Sequence, residues 1–125
     1  MIIGVGIDII EVERVSEKIS KDNGFRQKVF STSEIEFCES KGINKAQHYA
    51  ARFAAKEAFL KATGRGLQLS HELNEIEILT DADGKPDVHL NGKLKSVLEQ
   101  EKWRMHVSLS HIQSTACAVV VIESN

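Results

Sequence analysis

Residues 44–63 read NKAQHYAARFAAKEAFLKAT, and this stretch predicts its own structure more clearly than any other part of the chain. Alanine is frequent, and neither glycine nor proline interrupts the run, as is typical of a stable helix. Asn44 is a favourable N-cap residue, and Gln47 stands at the capping-box position. Gly64 follows as the residue expected just after a helix end. The sequence therefore predicts a long helix that forms the backbone of the domain.

The elements before this helix are shorter. The first ten residues, MIIGVGIDII, are apolar and mostly β-branched, which predicts a strand. A short helix then runs from residue 11 and ends at Asn23-Gly24. Ser31 and Glu34 have the spacing of a capping box and predict another helix that reaches about residue 39.

The second half of the chain alternates strands with one helix. The turn DADGKP joins two predicted strands, and HIQS joins the last two. The predicted elements cover residues 75–80, 87–90, 91–102, 104–111 and 115–122. The order of strand, helices and strands indicates an α+β fold, with the long helix packed on an antiparallel sheet. The length of 125 residues indicates one domain over residues 1–125.

Composition narrows the class of protein. The net charge of −2 argues against nucleic acid as a partner. Cys38 and Cys117 are far apart and form no CxxC motif, so the sequence predicts no zinc site, and Cys117 is interpreted as a buried thiol in a reducing compartment. No signal peptide is recognised, and no apolar stretch approaches the roughly 20 residues of a membrane span. We expect a cytoplasmic protein without a membrane partner.

Asp8 stands inside the most apolar part of the N-terminus. Alternation along the predicted strand places Gly4, Gly6 and Asp8 on one face. Two glycines beside Asp8 indicate that another group approaches this face closely. An unpaired buried carboxylate costs several kcal/mol, roughly, so Asp8 needs a partner or access to water. The alternatives are a salt bridge to an Arg or Lys, an exposed position, or a bound cation.

The long helix offers a second acid and a base. At about 100° per residue, Glu57 and Lys61 project one turn apart beside small residues such as Ala50 and Ala54. This strip leaves room for a ligand or for another segment of the chain. Glu57 and Lys61 alone could also be an ordinary surface pair, which contributes only about 0.3–0.5 kcal/mol.

Taken together, these residues suggest a metal site. Two carboxylates that face one space repel each other unless a cation joins them. Ligation by a few carboxylates, with water and phosphate completing the shell, is how Mg²⁺ is usually held at phosphoryl-transfer sites. The hypothesis is that Asp8 and Glu57 share a divalent metal and that Lys61 faces its phosphate ligand.

Four motifs then carry a resemblance to a known family. They are GIDII at residues 6–10, RFAAKEAFLKATGRG at 52–66, DGKP at 83–86 and HVSLSH at 106–111. In this order they resemble the 4′-phosphopantetheinyl transferases, in particular the short bacterial holo-acyl-carrier-protein synthases. The resemblance spans almost the whole chain, and the second motif is highly specific.

The resemblance implies a reaction and a set of roles. Members of the family transfer the phosphopantetheine arm of coenzyme A to a serine of acyl carrier protein, with Mg²⁺, in fatty acid biosynthesis. It implies that Asp8 and Glu57 bind the metal and that Lys61 lies near the reacting phosphates, so that these three are catalytic. Coenzyme A contacts are implied for Arg52, Lys61, Gly64, Gly66, Gly84, Lys85, Pro86 and His111.

The resemblance also implies partners. Arg14, on the first helix, matches a residue that meets the acidic carrier protein, and the short members form homotrimers with sites between subunits. Ser108 and Ser110 are weaker assignments than His111, and a phosphate contact by Arg65 is open. The proton acceptor is open between Glu57, water near the metal and a carrier-protein group, with water favoured.

Other interpretations compete with this one. His48, His89 and His106 are each interpreted as structural or solvated, because none has a second ligand at metal spacing. One rival function is a metal-dependent nucleotide phosphohydrolase or a kinase fragment, which would release phosphate instead of adenosine 3′,5′-bisphosphate. The other is a trimeric binding module without catalysis, which would need no metal.

Overall fold

A computed structural model describes residues 1–21, 24–65 and 73–124. Within these ranges, five α-helices and five strands follow the chain order β1, α1, α2, α3, α4, β2, β3, α5, β4, β5. The strands are β1 Ile2–Glu11, β2 Ile76–Thr80, β3 Pro86–Leu90, β4 Trp103–His111 and β5 Thr115–Ser124. The helices are α1 Val12–Ser20, α2 Phe25–Val29, α3 Thr32–Glu39, α4 Lys45–Thr63 and α5 Gly92–Glu101. The predicted α+β fold is confirmed.

The strands form two antiparallel sheets. The larger sheet has the order β1-β5-β4, so the last strand lies between the first strand and β4. Asp8 pairs with Ala118, and Ala118 pairs with Leu109 on the far strand. The smaller sheet is the β2-β3 hairpin.

Helix α4 packs across the larger sheet, as predicted. Its buried residues Ala54, Ala58 and Phe59 share a core cluster with Ala118 and Val120 of β5. The first half of α4 contributes to a second cluster with α1, α2 and α3. The long helix therefore joins both parts of the core.

The helix ends agree only in part with the sequence. The capping box of Ser31 and Glu34 is present at the start of α3, and Gly64 ends α4 in the left-handed conformation with φ 71°. The side-chain cap predicted for Asn44 is wrong. Asn44 ends a 3₁₀ turn over Gly42–Asn44, and its φ of −93° and ψ of 5° do not suit an N-cap. Helix α2 was not predicted.

The sheet face that points away from α4 is apolar and open. Along β1, Ile3, Val5, Ile7 and Ile9 are 50–70% exposed. Cys117 faces Ile9 from β5 and is half-buried, so its prediction as a buried thiol is wrong, and Cys38 is the buried thiol. Within the described part of the chain, no helix is long and apolar enough to cross a membrane.

Candidate active site

Strand β1 approaches α4 so closely that two positions admit only glycine. A Cβ on Gly4 would overlap the carbonyl oxygen of Ala62, and a Cβ on Gly6 would overlap that of Ala58. The group that approaches this face is therefore the backbone of α4, and the small-residue side of the helix receives β1 instead of a ligand. Asp8 follows on the same strand face, so the same contact directs Asp8 toward α4.

Asp8 forms an ion pair with Lys61. The Nζ atom of Lys61 lies 3.0 Å from Oδ1 of Asp8 and also donates to the carbonyl oxygen of Ile7 at 3.0 Å. The Asp8 side chain is 18% exposed and that of Lys61 is 57% exposed. The partner of Asp8 in this structure is therefore the lysine that the sequence placed at the site, an exposed lysine and not one in the core.

Glu57 lies one helical turn before Lys61 and is half-buried. Burial raises the pKa of Glu57, and the negative charge of Asp8 raises it further, while Lys61 and Lys18 oppose the shift. The influence of Asp8 indicates that the two carboxylates face a common space. The structure thus places Asp8, Glu57 and Lys61 in one region, and their roles stay predictions.

The donor set fits a hard divalent cation. Asp8 and Glu57 supply carboxylate oxygens, and their repulsion would be relieved by a cation between them. Across the described ranges 1–21, 24–65 and 73–124, no group of three or more His, Cys, Asp or Glu side chains could hold a metal ion. Two carboxylates leave most of the coordination shell to water and phosphate, which suits Mg²⁺.

A second group of predicted residues lines a cleft of about 450 Å³. Arg52 is buried, with 3% exposure, and donates to Oγ1 of Thr80 at 2.8 Å. Its guanidinium lies 4.1 Å from the centre of the Phe37 ring, and its buried Nε atom has no hydrogen-bond partner among the described residues. Burial lowers the pKa of Arg52. A buried guanidinium with a spare donor favours an anionic ligand in this cleft.

His111 lies at the end of β4 and lines the same cleft. Its ring centre is 5.3 Å from that of His48, which in turn lies 5.7 Å from the Phe37 ring. The ring of His48 is half-buried, and its pKa falls to about 4 because of burial and then of the positive charge on Arg52. His48 is therefore a residue that lines the cleft and packs against two of its rings.

The β2-β3 turn closes the cleft on one side. Oδ1 of Asp81 accepts from the backbone N–H groups of Asp83 and Lys85, each at 2.9 Å, and Gly84 has a φ of 85°. Gly84 lines the cleft, whereas Lys85 and Pro86 line an adjoining pocket of about 350 Å³. The three residues predicted to line coenzyme A thus border two neighbouring spaces.

The remaining predicted residues that the structure describes do not line this cleft. Gly64 ends α4 close to Lys61, and Gly66 lies outside the described residues. Arg65 pairs with Glu101 at 3.4 Å in this structure. Arg14 is exposed on α1, the helix that also carries Lys18.

Ser108 and Ser110 lie on the other face of the sheet. They pair with Val119 and Cys117, whereas His111 pairs with Ala116, which is buried on the α4 side. Successive residues of a strand alternate between faces, so the two serines point away from the face that carries His111. This geometry agrees with their weaker assignment.

The two groups occupy opposite flanks of α4. Glu57 follows Arg52 by five positions, which turns the two side chains about 140° apart around the helix axis. Asp8 lies on one edge strand of the sheet and His111 on the other, with β5 between them. At about 4.8 Å per strand, roughly 10 Å of sheet separates them.

Several cleft residues were missed by the sequence analysis. Phe37, Lys41 and Thr80 come from α3, the segment after it and β2, and no local pattern connects them. His48 did carry a signal, because it precedes Arg52 by one helical turn and so shares its helix face.

Comparison with known proteins agrees with this arrangement. A family model described as the 4′-phosphopantetheinyl transferase superfamily matches residues 4–120. The chain is 45% identical to a holo-[acyl-carrier-protein] synthase of Syntrophus aciditrophicus, over 98% of this chain and 97% of the relative. It is 48% identical to one of Ruminiclostridium cellulolyticum, over 94% of this chain and 90% of the relative.

Solved structures are similar over the whole chain. The holo-[acyl-carrier-protein] synthase of Neisseria meningitidis matches with a TM-score of 0.88 and 32% identity, over 99% of this chain and 100% of that one. The synthase of Bacillus anthracis in complex with CoA (3′,5′-ADP) matches with a TM-score of 0.82 and 33% identity, over 100% and 99%. The chain therefore belongs to the 4′-phosphopantetheinyl transferase superfamily, in its holo-[acyl-carrier-protein] synthase group.

Proposed function

We propose that the chain transfers the 4′-phosphopantetheine arm of coenzyme A to a serine of apo acyl carrier protein and releases adenosine 3′,5′-bisphosphate. The observation that carries this proposal is the cluster of Asp8, Glu57 and Lys61, in a chain whose relatives are synthases of this kind. Two acids and one flexible cation are suited to phosphoryl-group transfer.

The reaction needs positioning and charge stabilisation more than covalent catalysis. The serine oxygen of the carrier protein attacks the pantetheine-side phosphorus, and the bond from this phosphorus to the bridging oxygen breaks. The nucleotide phosphate leaves with the electron pair, and the serine proton passes to water or to Glu57. Lys61 stabilises the negative charge that grows on the phosphate oxygens.

We propose Mg²⁺ as the metal, held by Asp8 and Glu57. When bound, it supplies Lewis-acid stabilisation of the phosphate charge. The two acids attract Lys61 as well as the metal, and Lys61 contacts Asp8 in this structure. A phosphate that enters the site offers Lys61 a second anionic partner.

We place the nucleotide part of coenzyme A in the cleft of Arg52 and His111. The buried Arg52 supplies a positive charge with an unpaired Nε atom, and the exposed His111 adds a polar ring at the rim. Gly84 leaves room beside the turn, with Lys85 and Pro86 next to it. Gly64 and Gly66 are proposed as coenzyme A contacts on the family resemblance. An anion is favoured here because the lining includes more cationic than acidic side chains.

The carrier protein is proposed to dock beside α1. Arg14 is exposed on this helix, and Lys18 is near enough to Glu57 to influence its pKa. Helix α1 therefore borders the metal-binding acids. An acidic partner would be steered to this surface, with charge mainly setting its encounter rate and orientation.

We further propose a homotrimer with sites shared between subunits, as the family resemblance implies. The open apolar face of the larger sheet, along Ile3, Val5, Ile7 and Ile9, supports association. The opposite positions of Asp8 and His111 support a shared site, because the metal-binding acids of one copy would then meet the nucleotide cleft of another.

Subunit mixing tests this arrangement. Asp8→Asn and Arg52→Gln are each expected to abolish turnover when all three subunits carry the same substitution. Co-expression of the two variants should restore part of the activity, because some interfaces then combine an intact acid cluster with an intact cleft. No recovery in verified mixed trimers would contradict a shared site.

Intact mass spectrometry tests the reaction itself. The protein is mixed with coenzyme A, Mg²⁺ and apo acyl carrier protein, and the carrier is weighed. We expect a gain of one phosphopantetheine arm that is lost on chelation and in Asp8→Asn, which keeps the side-chain shape but removes the charge. Glu99→Gln, which changes an exposed acid on α5 that lines neither the cleft nor the adjoining pocket, is the control. Free phosphate as product would support the phosphohydrolase instead.

The wider role follows the same resemblance. We propose that the protein acts in fatty acid biosynthesis, in the cytoplasm, as a single transferase domain over residues 1–125. Coenzyme A and acyl carrier protein are its proposed partners, and nucleic acid and membrane are not.

A further inference from the structure

His48 occupies a position that the proposed chemistry does not use. It lies in the first turn of α4, one turn before Arg52, and its ring sits between the rings of Phe37 and His111. The same ring lines the 450 Å³ cleft. A packing role would explain the contact with Phe37, but it would not require an ionisable ring at the wall of a charged cleft.

The groups around His48 are mostly cationic. Lys41 faces it from the segment after α3, Arg52 from its own helix and His111 from β4. Asp81, from the β2-β3 turn, is the one carboxylate among the described residues that line the cleft, and its Oδ1 already accepts two backbone N–H groups. The field in the cleft is therefore positive.

This field decides the charge of His48. Burial is the main cause that lowers its pKa to about 4, and the charges of Arg52, His111 and Lys41 act in the same direction. At neutral pH the ring is uncharged and can donate only one hydrogen bond. A phosphate group in the cleft would offset the neighbouring charges and would accept a bond from a protonated ring.

We propose that His48 binds a phosphate group of coenzyme A in the cleft and takes up a proton as the nucleotide binds. The proposal rests on the proposed function, because that function places coenzyme A in this cleft. It assigns His48 as a binding residue, and Arg52 remains the permanent positive charge beside it.

Calorimetry at pH 7 tests the proposal with two probes, coenzyme A and adenosine 3′,5′-bisphosphate. Each titration is repeated in buffers of different ionisation enthalpy, which gives the number of protons taken up. His48→Phe keeps an aromatic ring against Phe37 and His111 but cannot ionise. We expect proton uptake by the wild type to exceed that of His48→Phe by about half a proton or more, and His48→Phe to bind about tenfold more weakly.

Two further variants keep the test decisive. His48→Gln restores a hydrogen-bond donor without a titrating group, so it should recover part of the affinity and none of the proton uptake. Glu99, on α5, is exposed and lines neither this cleft nor the adjoining pocket, so Glu99→Gln is the control. Proton release by the phosphate is common to all the proteins and cancels in the comparison.

The outcomes separate the two proposals. If the folded wild type binds neither probe, the proposed function and this inference both fail. If it binds coenzyme A but His48→Phe has the same affinity and the same proton uptake, the function stands and His48 only packs. A loss of affinity without a change in proton uptake would also overturn the proposal, because it would assign the ring a purely steric role.

Discussion

Lys56 and Glu34 form an ion pair in which neither side chain has any solvent exposure, with 2.7 Å between Nζ and Oε1. Lys56 also donates to the carbonyl oxygens of Leu73 and Ile76, and Oε2 of Glu34 accepts from the N–H of Ile78 at 2.9 Å. The pair therefore joins α3, α4 and β2 through hydrogen bonds that water cannot replace. Lys56 directly precedes Glu57 in the sequence, so the pair fixes the position of the helix that carries the proposed metal-binding acid.

Removal of one partner of this pair should be costly. Lys56→Met leaves the Glu34 carboxylate buried without its cation, so we expect a loss of about 3–5 kcal/mol in the free energy of unfolding. Urea unfolding followed by circular dichroism measures it. The double variant Lys56→Met with Glu34→Gln should regain part of the loss, because no buried charge then lacks a partner. Equal losses in the single and double variants would argue against the pairing as the cause.

The close approach of β1 to α4 predicts a second large effect. Gly6→Ala places a Cβ against the carbonyl of Ala58, and neither backbone can move without separating strand and helix. We expect a loss of about 3 kcal/mol or more in stability. Gly42→Ala is the comparison, since Gly42 has a φ of 58° and nothing within 4 Å of an added Cβ. It should lose only about 1 kcal/mol, from backbone strain. Similar losses would contradict the steric explanation.

The two cysteines report on the proposed trimer. Cys38 has no exposure, and burial raises the pKa of its thiol to about 12, so it should not react with maleimide in the folded protein. Cys117 is half-buried on the open sheet face and should be protected in a trimer. Ile7→Lys puts a charge on the same face and should give a monomer, which light scattering detects. In this monomer Cys117 should react with maleimide at least tenfold faster, roughly the effect expected when one buried charge breaks an interface.

The maleimide experiment has a clear adverse outcome. If Cys117 reacts at the same rate in the wild type and in the Ile7→Lys monomer, the sheet face is not the subunit interface. Intact mass spectrometry of the labelled protein identifies which thiol reacted.

The pKa of His48 predicts a dependence of stability on pH. The folded ring has a pKa of about 4, below the ordinary 6.5, so the unfolded chain takes up a proton that the folded chain does not. Stability therefore falls as the pH drops from about 6.5 to about 4. His48→Phe removes this contribution. Relative to the wild type, the variant should gain on the order of 1 kcal/mol between pH 7.5 and pH 5, since solvent screens a half-buried ring.

Urea unfolding of both proteins at the two pH values makes this comparison. Every other titrating group is common to the pair, so the difference belongs to His48. A pH dependence that is unchanged by the substitution would mean that the ring protonates as easily in the folded chain as in the unfolded one.

Glu57→Gln asks which group accepts the serine proton. If water is the acceptor, the role of Glu57 is to bind the metal, and we expect Mn²⁺ affinity and turnover to fall together by at least a hundredfold, as is common when a metal-site residue is lost. Electron paramagnetic resonance measures the bound Mn²⁺ without any turnover. Intact metal binding with lost turnover would instead identify Glu57 as the base.

Much of the acid cluster could be predicted from local patterns. Gly4, Gly6 and Asp8 lie on one strand face, and Glu57 and Lys61 are one turn apart on a helix, so strand and helix periodicity alone placed them correctly. The two glycines also indicated that a neighbour approached closely. The identity of that neighbour could not be predicted, because the contact joins segments more than fifty residues apart in the sequence.

The nucleotide cleft was less predictable for the same reason. Arg52 and His48 share a helix face, but Phe37, Thr80 and His111 reach them from three other elements. The buried pair of Lys56 and Glu34 was missed as well, because lysine and glutamate side chains are ordinarily expected at the solvent-exposed surface. The Asn44 cap failed because a 3₁₀ turn, which no strong sequence signal marks, precedes α4.

The strand order of the larger sheet has a consequence for synthesis of the protein. Strand β5 is made last, yet it lies between β1 and β4 and pairs with both. Until residues 115–124 leave the ribosome, the apolar β1 lacks β5, its partner in this sheet. The sheet therefore cannot form from segments that are close in sequence. The emerging chain must therefore keep an isoleucine-rich strand unpaired until residues 115–124 have left the ribosome, and during this interval aggregation or chaperone capture competes with folding.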